Sequence, residues 1–398
     1  LEAGPVISGG KKICTLFFAT LLLGACGRAG GGTGSTTRFD SAGVAIVTNT
    51  GPDRSVLTTM DVAYRLGGED SGPESFYQIY PSQVGVGEQG EIAVLNRQAY
   101  EVSTFDADGR FLATYGRHGA GPGELRLPSS VAVTPAGEVI VYDLGKQALV
   151  PFAGDGTTLD ERRLSVPFDG VDMVATPTGI VLLSRSRHTK AGTSISRVLH
   201  LTPSDTVQLG PSAESSDKVV TYESCGVSIW QPPLFAPDLV WGSNGMRTAV
   251  AAGPSYTIWV YDDTTAVEVI RRDMEPEPVT RDVATREVGD GERWNIGGRE
   301  CLVPADEVLD QRGYVATVPL VEAITVTPSG DLWVKRRRPG TQEHAVDIFD
   351  AGGGYVGTAS PTPPFPVRFL PDGRALTVEK DAFDVQVLAV YRVTVGGA

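Results

Sequence analysis

Four histidines and four cysteines are the side chains of this 398-residue chain best suited to metal ligation, proton transfer or nucleophilic attack. His118, His188, His200 and His344 lie far apart, and none belongs to an HExxH or paired-His motif. A three-His zinc site would need His118, His188 and His344 to converge from separate parts of the chain. No G-x-S-x-G elbow or Walker loop occurs, and no His stands near a Ser in a triad-like motif. The glycines of GRHGAGPGE (Gly116 to Glu124) lead into a strand pattern and not a helix, so they read as linker and not as a phosphate cradle. Cys14 falls in an N-terminal leader and Cys26 at the residue that follows it. That leaves Cys225 and Cys301, which an oxidising compartment would join as a disulfide.

The elements that must position these residues are short strands. Tyr115 to Gly156 holds a Gly/Pro linker, a strand, a Pro-x-Gly turn, a second strand ending in Asp143 and a third ending at Phe152. Similar strand pairs turn at Gly90, Gly137, Gly179, Gly245, Gly330 and Gly373, spaced by 47, 42, 66, 85 and 43 residues. Glycine suits such turns because it takes positive φ at low cost. A third strand with an apolar end follows each pair, as in Tyr256 to Asp263 (YTIWVYDD) and Val346 to Gly353 (VDIFDAGG). The short spacings match a four-stranded propeller blade and the long ones a blade plus an insertion. The expected fold is all-β, a six-bladed β-propeller with short helices in one insertion. Asp61 to Leu66 and Phe111 to Tyr115 both precede Gly-Pro-Glu linkers, so they are the same outermost strand. The first copy has no preceding blade and is predicted to close the last blade, removing an unpaired edge. Gly43 to Thr48 is a further strand with no assigned place.

Ahead of the propeller, Lys11 and Lys12, the apolar run Ile13 to Leu23 and the Leu23-Gly24-Ala25-Cys26 site read as an export signal over residues 1–25. The small-residue site has the form of a bacterial lipobox, with Cys26 as the lipidated residue. A tether over residues 26–39, Gly/Ser/Thr-rich from Gly27 to Thr37, leads to a domain over residues 40–398. Leu1 opens the chain, so residues 1–10 are expected to be translated upstream sequence, with Val6 as a candidate start. The expected location is the cell envelope on the extracytoplasmic side, at the outer membrane since Gly27 is not an inner-membrane retention Asp. A net charge of −14 argues against nucleic acid or anionic lipid as a partner.

GxxGxGPGE with its strand pair, YTIWVYDD, IRRDMEPEPVT, SGDLWVKRR and VLAVYRV together make the chain resemble six-bladed propellers of the NHL-repeat and TolB-like kind, specifically bacterial lipoprotein members. The resemblance spans Asp40 to Val395 and implies the fold more than any activity. Amidating-lyase relatives hold zinc through three histidines, and gluconolactonase-like relatives hold a metal through axial carboxylates and Asn. Here the corresponding strand ends are mostly basic.

In a propeller the two long insertions, Gly210 to Leu239 and Asp273 to Val321, fall on the face opposite the tight turns. Cys225 and Cys301 then flank blade 4 on one face, which suits a disulfide pinning both insertions. Thr280 is a helix N-cap candidate before RDVATREV, and Pro304 begins PADEVLDQR. Trp230, Phe235, Trp241 and Trp294 are either an aromatic ligand groove or packing for the insertions. Asn96, Arg97, Asp143, Arg185, Lys335, Arg336, Lys380 and Asp381 end second strands, and they form either an axial funnel for an anionic or sugar-like ligand or solvated charge. The reading is a lipid-anchored, monomeric, non-catalytic module that works through its insertion face. It would bind an envelope protein or small ligand and need no cofactor. The alternative is a hydrolase or lyase with a divalent cation in the axial channel.

Overall fold

Runs of alternating apolar residues broken by Gly and Pro give strands, and each sheet so formed is apolar on both faces and must be covered by a neighbour. The computed structural model describes residues 34–396, apart from 69–75, 77, 165–168, 189–191, 339, 342, 383 and 384. The leader, Cys14, Cys26 and most of the tether lie outside the described residues, and of His188 only the backbone is described.

The chain opens with β1 (Thr36–Ser41), β2 (Val44–Asn49) and β3 (Ser55–Leu66). Blade 1 is β4 (Val84–Val86), β5 (Ile92–Asn96), β6 (Glu101–Phe105) and β7 (Phe111–Tyr115). Blade 2 is β8 (Pro128–Val133), β9 (Val139–Asp143), β10 (Ala148–Phe152) and β11 (Arg162–Arg163). Blade 3 is β12 (Asp169–Thr176), β13 (Gly179–His188), β14 (Thr193–Leu201) and β15 (Thr206–Ser216). The hairpin β16 (Lys218–Tyr222) and β17 (Val227–Gln231) precedes blade 4, which is β18 (Leu239–Ser243), β19 (Arg247–Ala252), β20 (Thr257–Asp262) and β21 (Thr265–Arg272). The second insertion holds α1 (Arg281–Val288), β22 (Gly291–Ile296), β23 (Arg299–Pro304) and α2 (Ala305–Arg312). Blade 5 is β24 (Val321–Val326), β25 (Leu332–Arg337), β26 (His344–Phe349) and β27 (Tyr355–Ser360). Blade 6 is β28 (Arg368–Phe369), β29 (Ala375–Lys380) and β30 (Gln386–Val395), completed by β3.

The ring is closed as its sequence predicts. β3 pairs antiparallel with β30, Asp61 opposite Arg392 and Leu66 opposite Leu388. Its first residues also run parallel to β27, so blades 5 and 6 share one continuous eight-stranded sheet. Buried clusters fill each blade junction, including the closing one between blades 6 and 1, where Leu66, Leu376 and Leu388 meet Val84, Ile92 and Phe105. The unassigned segment becomes β2, which lies parallel to β21, Ala45 opposite Glu268 and Asn49 opposite Arg272. With β1 outside it, blade 4 has six strands. The tether therefore ends sooner than its composition suggests, because Thr36 to Phe39 are already paired with β2.

Five of the six predicted hairpin glycines sit at positive φ, namely Gly90, Gly137, Gly245, Gly330 and Gly373. Gly179 does not. The third turn is Pro177-Thr178, and Gly179 is the first residue of β13, where a Cβ would stand 2.0 Å from the Leu201 carbonyl oxygen. Glycine is needed there for close strand approach and not for the turn.

Candidate functional site

The innermost strands β4, β8, β12, β18, β24 and β28 surround the axis, and each ends in the tight turn to its blade's second strand. Four of these turns begin with proline, at Pro135, Pro177, Pro328 and Pro371, and all four ring one axial cavity of about 300 Å³. Its wall takes residues from every blade, among them Gly85, Ala132, Met173, Gly245, Val326 and Phe369. Met246, 65 % exposed, stands at the mouth. This opening is on the tight-turn face, away from the insertions.

An ion pair crosses the axis deeper in. Arg368 on β28 donates from Nη2 to Asp172 Oδ1 on β12 at 2.7 Å, joining blades 6 and 3 on opposite sides of the ring. Burial pushes the Asp172 carboxyl up from its ordinary value, against the pull of Arg368. Arg368 also donates from Nη1 to the Val367 carbonyl. The other polar side chains in the wall are engaged too. Ser243 donates to the Arg247 carbonyl, and Asn244 donates to the Thr327 carbonyl while accepting from the Met246 and Arg247 amides. Glu88 stands exposed at the rim. A neutral floor and a wall of mixed polar and apolar surface suit a small, uncharged molecule, and 300 Å³ is within the usual range of ligand pockets.

The opposite face carries a cap. The two insertions pack on one another through Val220, Tyr222, Val303 and Val308, and the Cys225–Cys301 disulfide joins their hairpins. Thr280 caps α1 by accepting from the Val283 amide at 3.2 Å, as the sequence indicates, and α2 begins at Ala305, one residue after the Pro304 start read from the sequence. Arg337 on β25 fixes the cap to blade 5, reaching Glu287 of α1 at 2.6 Å and lying over the Phe235 ring. Nearby, Glu322 on β24 brings Oε2 to 2.6 Å from His344 Nδ1, a close approach of carboxylate and imidazole on the capped face.

The predicted funnel residues do not gather into one ring. Asn96 and Arg97 share a polar recess of about 360 Å³ with Gln78, Gln83 and Tyr100. Arg97 donates to the Pro128 carbonyl, and Asn96 accepts from the Gln98 and Ala99 amides. Asp143 is fully buried and accepts from the amides of Arg126, Leu127 and Lys146, so it organises its own turn. Arg185 pairs with Asp238 at 2.8 Å, and Asp381 accepts from the Val385 amide. Lys335 and Lys380 lie on β25 and β29.

Arg336 is buried between blades 4 and 5 beside Arg272, and both pair with Asp53 and Asp347. The Tyr256 and Thr358 hydroxyls also donate to Asp347. Burial acts to raise the Asp53 carboxyl, but Arg336 and Arg272 overcome it and hold the group below its ordinary value. This network ties the β2–β3 crossing to the ring.

The aromatic residues likewise divide. Trp241 packs between blades 3 and 4, Trp294 in the cap core, and Phe235 against Leu234, Ala284 and Leu309. Trp230 is partly exposed on β17 opposite Val219. They pack the insertions more than they line a groove. His118 stacks edge-on against Tyr100, and His200 is buried with Nε2 facing the Thr176 and Thr178 hydroxyls. Among the described residues no cluster of three or more His, Cys, Asp or Glu could hold a metal ion.

No family model matches the chain, and no curated protein does. Solved structures do. An exported protein of Bacteroides fragilis matches at 13 % identity and a TM-score of 0.46, covering 85 % of this chain and 96 % of its own. A DUF4221 member from Bacteroides vulgatus matches at 9 % and 0.44, covering 85 % and 99 %. A gluconolactonase from Xanthomonas campestris matches at 12 % and 0.36, covering 86 % and 99 %. The blade topology itself defines the class: this chain is a six-bladed β-propeller, closed by an N-terminal strand.

Proposed function

We propose that this propeller is a non-catalytic binding module of the cell envelope, and that its axial cavity on the tight-turn face takes a small, neutral ligand. One observation carries the reading. The cavity wall draws on all six blades, yet Ser243, Asn244 and Arg368 are engaged with the protein itself, leaving shape and the uncharged remainder of the wall as the means of recognition. Lipidation at Cys26 would hold the module at the outer membrane on the periplasmic side, as in lipoprotein members of the NHL and TolB-like propellers. The Cys225–Cys301 disulfide supports an oxidising, extracytoplasmic setting. No helix among the described residues is long and apolar enough to cross a membrane.

The test is mass spectrometry of small molecules extracted from protein purified out of its own envelope. A neutral species should accompany the wild type and fall by about tenfold, some 1.4 kcal/mol, in Ala132→Phe, which fills the wall, and in Met246→Glu, which charges the mouth. A ligand retained in both variants would refute the site. The competing reading, a hydrolase or lyase, draws support from Glu322 and His344 and would gain if the ligand were found against that pair.

A further inference from the structure

We propose that the polar recess between blades 1 and 2, on the face opposite the axial cavity, binds a small organic monocarboxylate with an apolar body. The recess holds about 360 Å³ and is bounded by the linker into β4, the β5–β6 turn and the start of β8. Its described lining residues all come from blades 1 and 2, and none from the insertions that flank blade 4.

Charge selects the ligand. In a chain of net charge −14, the recess has one charged side chain, Arg97, and no carboxylate among its described lining residues. Glu101, opposite Asn96 in the β5–β6 ladder, stays outside the lining. Arg97 is anchored by donating from Nε to the Pro128 carbonyl at 3.1 Å, and nothing among the described residues accepts from its Nη groups. Paired guanidinium N–H groups hold the two oxygens of a carboxylate as a fork. Asn96 adds a donor beside it. Its Oδ1 accepts from the Gln98 amide at 3.2 Å and the Ala99 amide at 3.1 Å, which sets the orientation of the side chain. Nδ2 can then only donate, and it too lacks an acceptor among the described residues. Asn96 and Arg97 thus offer a ligand donors alone, and a carboxylate answers both.

The rim supplies apolar surface. Tyr80 and Leu127 are 44 % and 47 % exposed, although both are large and border the recess. Gln83 holds this rim in place. It is buried, accepts from the Tyr80 amide at 2.8 Å and donates to the Leu95 carbonyl at 2.7 Å. Tyr100 is set edge-on against His118, with ring centroids 4.4 Å apart. An apolar body laid against Tyr80 and Leu127 takes surface out of water while the carboxylate meets Arg97.

Calorimetric titration of the full chain with hydrocinnamate, and with hydrocinnamamide as its neutral counterpart, reads the site. The acid should bind saturably and at least about tenfold more tightly than the amide, as a charge-assisted pair on Arg97 requires. Arg97→Gln should abolish that preference. Gln98→Glu, which adds a carboxylate to the recess, should weaken the acid several-fold. Arg97 and Gln98 are both exposed, so neither change threatens the fold. Arg110→Gln, which removes an equal charge from an exposed turn of the same blade, should leave the affinity as it was. Absence of saturable acid binding, equal affinity for acid and amide, or the same loss in Arg97→Gln and Arg110→Gln would overturn the proposal.

Discussion

The two faces of this ring solve different problems with the same blades. On the tight-turn face each connection is short, four turns start with proline, and the inner strands leave a cavity whose ion pair is closed on itself. On the other face the connections grow into helices and hairpins with a small core, held by a disulfide and by charged contacts such as Arg337–Glu287 and Arg185–Asp238. Short turns need little beyond backbone geometry to hold their shape. Long insertions bury too little apolar surface to order themselves and need cross-links. The rigid face is therefore the one that keeps a preformed cavity.

Both faces rest on the blade 4–5 junction, and the largest expected effect is there. Asp347→Ala leaves Arg272 and Arg336 buried with only Asp53 to balance them, and should cost about 3–5 kcal/mol in denaturant unfolding. A loss under about 1 kcal/mol would mean the network is dispensable.

The cap comes next. Replacing Cys225 and Cys301 by Ser should destabilise the cap by about 2–4 kcal/mol. Hydrogen exchange should quicken in β16, β17, α1 and α2 while the blades keep their protection. Uniform loss across the blades would show that the faces are not independent.

The smallest effect sharpens the contrast through pH. Asp172 has its carboxyl raised in the folded state, so the native protein holds this proton more tightly than the unfolded chain does. Its contribution is favourable at low pH and is lost as pH rises from 3.8 through the raised native value. Asp53 has the opposite sign, with a contribution present above 3.8 and lost as pH falls through its lowered native value. Asp172→Asn should flatten the first slope and leave the second, at a cost of about 1–3 kcal/mol for the Arg368 left without its partner. Identical pH profiles for wild type and variant would remove the axial pair from the account.

Much of the architecture is legible in local pattern. The turn glycines, the duplicated outer strand at Asp61 to Leu66 and Phe111 to Tyr115, and the helix caps at Thr280 and Pro304 all depend on residues close in sequence. The Cys225–Cys301 pairing is legible because both insertions fall on one face of the ring. The candidate site is less legible because it is assembled across the ring. Asp172 and Arg368 come from opposite blades, and neither residue carries a motif. The proline rim did leave a trace in TPAG, TPTG, TPSG and LPDG, but a Pro-Gly turn looks the same whether it edges a cavity or faces solvent. Arg336 reads as exposed strand-end charge until Asp53, far away in sequence, is brought against it. The β2 segment has a strand composition, but its parallel partner β21 lies beyond three intervening blades.

The most direct measurement is a crystal structure of the protein as isolated from its own envelope, with the axial electron density as the readout. Ligand density enclosed by Ala132, Met173, Val326 and Phe369 is the predicted result. Solvent alone at that position, with a bound molecule against Glu322 and His344 on the capped face, would contradict it.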